Sequence, residues 1–448
     1  MRNNCNLPRI AANVAATLLW AAALSHAQTW DLPAHLGDTV SKQTEGMVRL
    51  SFEQRGRYET RSGQNFGKDP DLSVGLIRTR LGVRVKPAPW IVFSAMAQDS
   101  RAPWYGPKAP NTMRDQVDLH ESYFELFPDR KKGFGMMGGR KMLNYGDTRL
   151  IGSPQWSNLS RTFDMARLYY RSPRAQWEFL VVSPVKVRIG EFNHPVLGDR
   201  VWGTYDSFSG AFHKSLAEVY YLRHDQNRPG GFTGGKTADG TDRLGVNTFG
   251  ARLSGPLGPG LKYTVEGALQ SGKVGPARHR AAAWVSTLTR RWTIDKRALD
   301  LSAEYKFASG TANPKDTTRE STFDQLYPAN HDKFGHEDLF GWRNVHNLRG
   351  QATFAATKTL SVNGLYDDIW LAQLKDALYN GQGKAVCSSA TGSAGRHVGR
   401  EADVFLTWKH KHLIFGAGYG HLFAGEFIRK TTPGVSPDYA YIFHGYSF

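Results

Sequence analysis

Apolar and charged residues alternate along much of the chain, and residues 75–86, GLIRTRLGVRVK, show the pattern clearly. Basic side chains occupy every second position, interrupted only by Gly82, and the positions between them are apolar apart from Thr79. A helix would scatter both sets around its circumference, whereas a strand sends successive side chains to opposite faces. The stretch therefore predicts a β-strand with one cationic face and one apolar face.

The same alternation recurs along the chain. It is found in residues 46–61, 261–270, 299–307, 348–355 and 401–409. No long segment with the 3.6-residue period of an amphipathic helix competes with these strands. The pattern predicts an all-β protein.

Amphipathic strands fit either a soluble antiparallel sheet or a transmembrane β-barrel, whose charges would line a lumen. The connections favour the barrel, because short turns alternate with long polar loops as in outer-membrane barrels. The long loops are expected near residues 62–72, 101–116, 143–160, 225–242, 309–345, 372–397 and 424–436. Between the connections lie about eighteen strands, which predicts an antiparallel up-and-down barrel.

Both ends of the chain fit this interpretation. Residues 1–27 combine Arg2 and Arg9 with an apolar run and small residues before Gln28, which predicts a secretory signal peptide. We then expect residues 28–45 to form a periplasmic N-terminal segment and residues 46–448 to form the barrel. The last strand, DYAYIFHGYSF, is similar to the carboxy-terminal strands that outer-membrane barrels present to their assembly machinery.

The composition shows an excess of positive charge, and it excludes an internal disulfide in the exported chain. The formal charge is +17 with histidine neutral, and it becomes +15 without residues 1–27, which hold two arginines and no acid. Only one of the two cysteines, Cys387, lies beyond residue 27, so an exported chain would have no internal disulfide. Nucleic acid is not an expected partner, because an exported barrel does not usually meet it.

Several motifs resemble the alginate export family of outer-membrane barrels. The most specific is GGRKMLNYGDTRLIGSPQWSNLSRTFDMARLYY at residues 138–170. Others are LIRTRLGVRVKPAPW, AQDSR at 97–101, VDLHESYFEL at 117–126, AEVYYLRHD at 217–225 and GYGHLFAGEF at 418–427. The resemblance implies an eighteen-stranded barrel in a Gram-negative outer membrane, with an electropositive pore used by a polyanionic polysaccharide.

The strand alternation assigns basic side chains to the lumen, because a cation facing lipid costs about 2–4 kcal/mol at mid-membrane. The inward candidates are Arg55, Arg57, Arg78, Arg80, Arg84, Arg140, Arg167 and Arg349. The loop near 143–160 is a candidate to fold inward, and the pore-lining residues expected in and beside it are Asp147, Arg149, Arg161 and Asp164. The alternative for each arginine is an ion pair that only braces the wall.

Aromatic residues of the same region have two interpretations. Trp156 and Tyr145 would stack on sugar rings if they lie along a saccharide path. Trp156 and Phe163 would instead anchor the barrel at the membrane interface, as aromatic girdles do.

These features predict a monomeric, anion-selective outer-membrane channel that passes an acidic polysaccharide or its fragments by passive diffusion. The alternatives are a porin for small acidic metabolites and an outer-membrane barrel enzyme. We assign no catalytic, metal or cofactor site, because the strand period brings no Ser, His and acid together and the histidines lack metal-ligand spacing. The expected partners are an anionic solute, outer-membrane lipid and the barrel assembly machinery. Both export and uptake fit this prediction.

Overall fold

The structure, a computed structural model, describes residues 32–105, 109–110, 112–227 and 243–448. The expected signal peptide, residues 1–27, lies outside the described residues. So do the start of the expected N-terminal segment and most of the expected loop at 225–242.

Eighteen long strands form one closed antiparallel barrel, which confirms the fold predicted from the alternation. The first and last strands pair with each other, from Glu53 opposite Ser447 to Ser62 opposite Asp438. In chain order the strands are β1 (Val48–Ser62), β2 (Leu72–Ala88), β3 (Ile91–Arg101), β4 (Asp115–Leu126), β5 (Gly133–Lys141), β6 (Phe163–Arg171), β7 (Ala175–Lys186), β8 (His194–Pro195), β9 (Asp199–Ala211), β10 (Ser215–Asn227), β11 (Arg243–Gly258), β12 (Leu261–Val274), β13 (Ala277–Ile294), β14 (Arg297–Ala308), β15 (Arg319–Glu320), β16 (Val345–Ala355), β17 (Leu360–Leu371), β18 (Leu378–Tyr379), β19 (Ala385–Cys387), β20 (His397–His410), β21 (Leu413–Ala424) and β22 (Asp438–Ser447). The four shortest, β8, β15, β18 and β19, lie in connections between barrel strands.

In the described part of the chain, two α-helices accompany the barrel, α1 (Leu32–Gln43) before the first strand and α2 (Glu426–Thr431) before the last. Gly37 of α1 lies against the phenyl ring of the C-terminal residue Phe448. A Cβ added at Gly37 would come within 2.6 Å of that ring. The helix therefore packs where the two ends of the barrel sequence meet. Among the described residues, no helix is both long and apolar enough to cross a membrane.

The alternation of residues 75–86 corresponds to the two faces of β2. Ile77 and Leu81 are 41% and 61% exposed on the outer surface, whereas Arg78 and Arg80 are each 3% exposed inside the barrel. This sorting places apolar side chains where lipid surrounds the barrel and keeps the cations away from it.

Short turns lie at one end of the barrel, the turn end, and most long connections lie at the other, the loop end. The turns are residues 89–90, 127–132, 172–174, 212–214, 259–260, 295–296, 356–359 and 411–412. Two long connections at the loop end are named L3 (142–162) and L7 (309–344).

The expected alternation of short and long connections differs from the structure at two places. Residues 187–198 form a long connection that the sequence analysis missed. At the loop end, β12 and β13 are joined by residues 275–276 alone. The tight hairpin is possible because Gly275 has a φ of +56°, a backbone conformation that glycine adopts without strain.

Candidate functional site in the barrel lumen

The first half of L3 contacts inward-facing side chains of β7, β11 and β14. Asp147 pairs with Arg252 of β11 at 2.7 Å, and Arg149 pairs with Glu304 of β14 at 2.7 Å. The Tyr145 hydroxyl donates a hydrogen bond to Glu178 of β7. Since L3 starts after β5, these contacts carry it into the lumen and away from its own strands.

The second half of L3 contacts an arginine cluster on β1 and β2. Arg55 donates to the carbonyls of Gln155, Trp156 and Ser157 at 2.6, 3.1 and 3.0 Å. Arg78 donates to the carbonyls of Gln155 and Ser157 at 3.1 and 2.9 Å. L3 therefore crosses the lumen between β11 and β14 on one side and β1 and β2 on the other.

The cluster keeps a positive charge because backbone carbonyls carry none to cancel it. Glu53 contacts both Arg78, at 2.5 Å, and Arg80, at 3.3 Å. Arg55 contacts L3 carbonyls, and Arg57 pairs with Glu59 at 2.5 Å. Among the described residues, Glu53 is thus the one carboxylate paired with Arg78 and Arg80, and Arg55 is paired with none.

Two further bonds of Arg80 fix it to its surroundings. Its Nε donates to the side-chain oxygen of Gln98 on β3 at 2.7 Å, and its Nη1 donates to the side-chain oxygen of Gln155 at 3.0 Å. The predicted residues Arg55, Arg57, Arg78 and Arg80 therefore lie together inside the barrel and hold L3.

Trp156 lies inside the barrel, so its interpretation as an interface anchor is wrong. The Arg57 guanidinium lies 4.1 Å from the indole ring centroid, and the ring stacks on His331 of L7 at 4.5 Å. The indole N–H donates to the Tyr439 hydroxyl of β22 at 3.1 Å. Phe163 is fully buried among core residues, so it is not an interface anchor either.

L7 also enters the lumen and contacts the wall at several strands. Asp324 pairs with His224 of β10 at 2.7 Å, and the backbone N–H of Glu337 donates to Glu401 of β20 at 3.1 Å. The carbonyl of Asp332 accepts a bond of 2.5 Å from Arg349 of β16. L3 and L7 therefore both narrow the interior.

Arg161 joins the two loops. Its Nη1 donates to the carbonyls of Gly152, Tyr327 and Pro328 at 3.0, 2.8 and 3.0 Å. Burial lowers the pKa of Arg161 from its usual value to about 10, so the guanidinium stays protonated at neutral pH. A bridge between Ile151 and Tyr327 adds a backbone contact.

A polar cavity of about 400 Å³, the central cavity, lies between L3, L7 and the wall. It brings together three of the predicted site residues, Asp147, Arg149 and Arg349. The other residues that line it are Gly146, Thr148, Thr287, Thr289, Ser302, Glu304, Asp332, Lys333 and Gln351. Three cations and three carboxylates thus line one space.

The sequence analysis missed a buried lysine beside this cavity. Lys306 of β14 is 0% exposed, pairs with Glu304 at 2.8 Å and lies 4.0 Å from Asp367. Asp367 in turn pairs with Arg349 at 2.8 Å. The signal was available, because Glu304 and Lys306 alternate on the polar face of residues 299–307.

Arg84 lies apart from the other predicted arginines, in a cavity of about 1090 Å³ at the turn end. Arg49, its Cα partner on β1, and Lys86 line the same cavity, with Asp129. The structure gives no hydrogen bond or ion pair for Arg49 or Arg84 within its described residues. We call this space the turn-end cavity.

Arg140 and Asp164 do not face the lumen, so their predicted position is corrected. Arg140 alternates along β5 with Phe134 and Met136, which are exposed on the outer surface. Its Nε donates to Asp164 of β6 at 2.7 Å, and its Nη1 donates to the carbonyl of Leu119 at 3.3 Å. The pair thus bridges β4 and β6 on the outward side of the wall.

Arg167, the remaining predicted residue, faces inward and pairs with the buried Glu178 at 2.5 Å. Glu178 also accepts the bond from Tyr145, so this ion pair supports the first half of L3. In the part of the chain that the structure describes, no group of three or more His, Cys, Asp or Glu residues is arranged to hold a metal ion.

Comparison with known proteins gives one family and a set of similar folds. A family model described as alginate export matches residues 47–441. Among solved structures, Pseudomonas aeruginosa OccK11 (OpdR) is 12% identical with a TM-score of 0.60, over 90% of this chain and 96% of that one. Acinetobacter baumannii OccAB2 is 9% identical with a TM-score of 0.60, over 90% and 98%. No curated protein matches the sequence.

Proposed function

The chain belongs to the alginate export family, and from that premise we propose that an acidic polysaccharide, or fragments of one, diffuses passively through its anion-selective lumen. The protein is an outer-membrane β-barrel channel of a Gram-negative cell. In an outer-membrane barrel the turn end faces the periplasm, so L3 and L7 enter from the outer side.

The arginine cluster of Arg55, Arg78 and Arg80 is the observation that carries the proposal. Two of these inward guanidinium groups, Arg78 and Arg80, pair with one carboxylate, Glu53, and the third, Arg55, contacts uncharged carbonyls, inside a wall of low dielectric constant. Fixed cations in such a space raise the local concentration of anions and exclude cations. A carboxylate-bearing polymer would therefore be favoured over a neutral one.

The turn-end cavity supports the same preference at the periplasmic mouth. Arg49, Arg84 and Lys86 line it, and Lys86 pairs with Asp129 at 2.5 Å. Arginine presents a planar fork of donors that fits a carboxylate. In our proposal a uronate chain meets Arg49 and Arg84 at this mouth.

The carboxylates of the central cavity would keep the grip on a polyanion weak. Asp147, Glu304 and Asp332 lie among Arg149, Lys333 and Arg349. Conduction requires binding that is favourable enough for entry and weak enough for release. We propose that this mixed lining lets an acidic chain slide instead of being trapped.

The family and the fold point to a channel rather than an enzyme. We further propose that the channel works as a monomer and that the barrel assembly machinery inserts it through its C-terminal strand. Small acidic metabolites are the alternative cargo within the same lumen.

Release from proteoliposomes tests the proposed cargo. Vesicles with the purified protein are loaded with labelled uronate oligosaccharides and with neutral glucan oligosaccharides of equal length. We expect the uronates to leave faster, because the arginine cluster and the turn-end cavity favour anions. Protein-free vesicles give the leak rate, and a small dicarboxylate gives the rate of a short anion.

Three results would separate the proposals. Faster release of uronate than of neutral oligosaccharide supports the polysaccharide channel. Release of the dicarboxylate with retention of the uronates would instead support uptake of small acids. Equal release of charged and neutral oligosaccharides would contradict anion selectivity.

A further inference from the structure

Several basic residues lie on the outside of the barrel near its loop end, on strands β9 to β13. Arg200 of β9 is the Cα partner of Asp225 on β10, which in turn is opposite Gly245 of β11. Gly245 pairs with Lys273 of β12, and Lys273 pairs with Arg278 of β13. These positions therefore form one ladder of register partners, or row, across five neighbouring strands.

The side chains of this row point away from the lumen. Arg278 and Arg280 alternate along β13 with Trp284 and Leu288, which are exposed on the outer surface, whereas His279 between them is fully buried. Lys273 is on the same face of β12 as the exposed Leu269. Lys273, Arg278 and Arg280 are themselves exposed.

The row lies just beyond the apolar part of the outer surface. Leu269 is opposite Phe249, and Phe249 is opposite Tyr221, so these three side chains form an apolar and aromatic row. Lys273 follows Leu269 by four positions on one strand, a distance of about 13 Å at the usual strand rise. With the usual strand tilt this is about 10 Å along the membrane normal, and we expect basic side chains that far beyond the apolar row to meet the headgroups of the outer leaflet.

Two cations of the row, Lys273 and Arg278, have no hydrogen-bond or ion-pair partner for their side chains among the described residues, and neither has Arg280, two positions further along β13. Asp225, the acidic residue on the same ladder, already has partners. It accepts hydrogen bonds from Arg223 at 2.8 Å and from the Trp202 indole at 2.9 Å.

Outward charges elsewhere on the loop end are arranged differently. On β17 and β20, Arg400 and His397 both pair with Asp368, at 3.1 and 2.8 Å. Cations next to an acid need no external anion, whereas the three on β12 and β13 lie close together without one. This difference points to an external partner with several negative charges.

We propose that Lys273, Arg278 and Arg280 bind the phosphate groups of anionic glycolipids in the outer leaflet. Arginine forks fit phosphate oxygens, and lysine adds a point charge. The apolar row of Tyr221, Phe249 and Leu269 would lie beside the acyl chains of the same lipid. Binding on one side of the barrel would fix its orientation among these lipids, independently of what passes through the lumen.

Native mass spectrometry with defined lipids tests the proposal. The probe is bis-phosphorylated lipid A, compared with its dephosphorylated form, on the detergent-extracted full-length barrel. The variant carries Lys273→Gln, Arg278→Gln and Arg280→Gln together. We expect its affinity for the phosphorylated lipid to fall on the order of 100-fold, because each basic residue at an anionic membrane surface contributes a factor of about five.

The matched control removes three exposed cations at the turn end of β13 and β14. It carries Arg290→Gln, Lys296→Gln and Arg297→Gln, and we expect it to bind as the wild type does. Gel mobility with and without heating checks that both variants are folded, because a folded barrel unfolds slowly and only on heating. The single change Arg278→Gln, with an expected loss of about fivefold, serves if the triple variant does not fold.

The proposal is overturned if the triple variant keeps wild-type affinity, or if the control loses as much. It is also overturned if the wild type binds the phosphorylated and dephosphorylated lipids equally. Displacement of the lipid by millimolar inorganic phosphate would identify a site for free phosphate and not for a lipid headgroup.

Discussion

The variant with Arg55→Ala and Arg78→Ala is expected to conduct several-fold more current than the wild type. These arginines make five hydrogen bonds to the carbonyls of residues 155–157. A hydrogen bond with a charged partner contributes about 1.5–3 kcal/mol, so even a net loss of about 3 kcal/mol shifts the ratio of docked to undocked L3 roughly 100-fold. With L3 displaced, the lumen widens, and single-channel recording in a planar bilayer measures the increase.

A matched control separates release of the loop from loss of charge. Lys262→Ala with Arg291→Ala also removes two cations, at the turn end of β12 and β13, where Arg291 pairs with Asp300 and not with L3. We expect this control to conduct as the wild type does. If the two double variants change conductance equally, or if the first one leaves it unchanged while folded, L3 is not held by the arginine cluster.

The second large effect is expected from Arg49→Glu with Arg84→Glu. These two residues face each other across β1 and β2 in the turn-end cavity, so the change alters its charge by about four units. At an effective dielectric constant near 20, charges at such distances interact with an energy on the order of a kcal/mol or more. An energy of that size corresponds to a change of about fivefold in the permeability of anions relative to cations. The variant should lose much or all of its preference for anions, as read from its reversal potential under a salt gradient.

A neutral version of the same variant is the control. Arg49→Gln with Arg84→Gln changes the charge by half as much and keeps side chains of moderate size. We expect its reversal potential to lie between those of the wild type and the glutamate variant. A folded glutamate variant with unchanged selectivity would show that the turn-end cavity does not select ions.

The strand architecture could be predicted from the sequence because the two-residue alternation of apolar and polar side chains is visible within each strand. The alternation in residues 75–86 required Arg78 and Arg80 to share one face, and in the structure both are buried inside the barrel. The same rule, applied to Phe134, Met136 and Arg140, would have placed Arg140 outside. The rule that buries cations in the lumen therefore fails at Arg140, whose charge is balanced by Asp164 on the outward side of the wall.

The arrangement inside the lumen could not be predicted in this way. The path of L3 depends on contacts between residues far apart in the chain, such as Arg55 with Gln155 and Arg149 with Glu304. Strand alternation carries no information about such pairs. The sequence therefore leaves open whether each arginine is a free pore cation or braces the wall in an ion pair, and the structure shows that most of them hold a loop or a carboxylate.

The reversal potential of the wild-type channel measures whether its lumen prefers anions. The purified barrel is inserted into a planar bilayer between two concentrations of potassium chloride, and uronate oligosaccharides are then added from the periplasmic side. An anion-selective lumen gives a potential of the sign that marks chloride as the more permeant ion, and we expect uronates, but not neutral oligosaccharides of equal length, to block the current. A cation-selective potential, or no block by uronates, would contradict the proposed function.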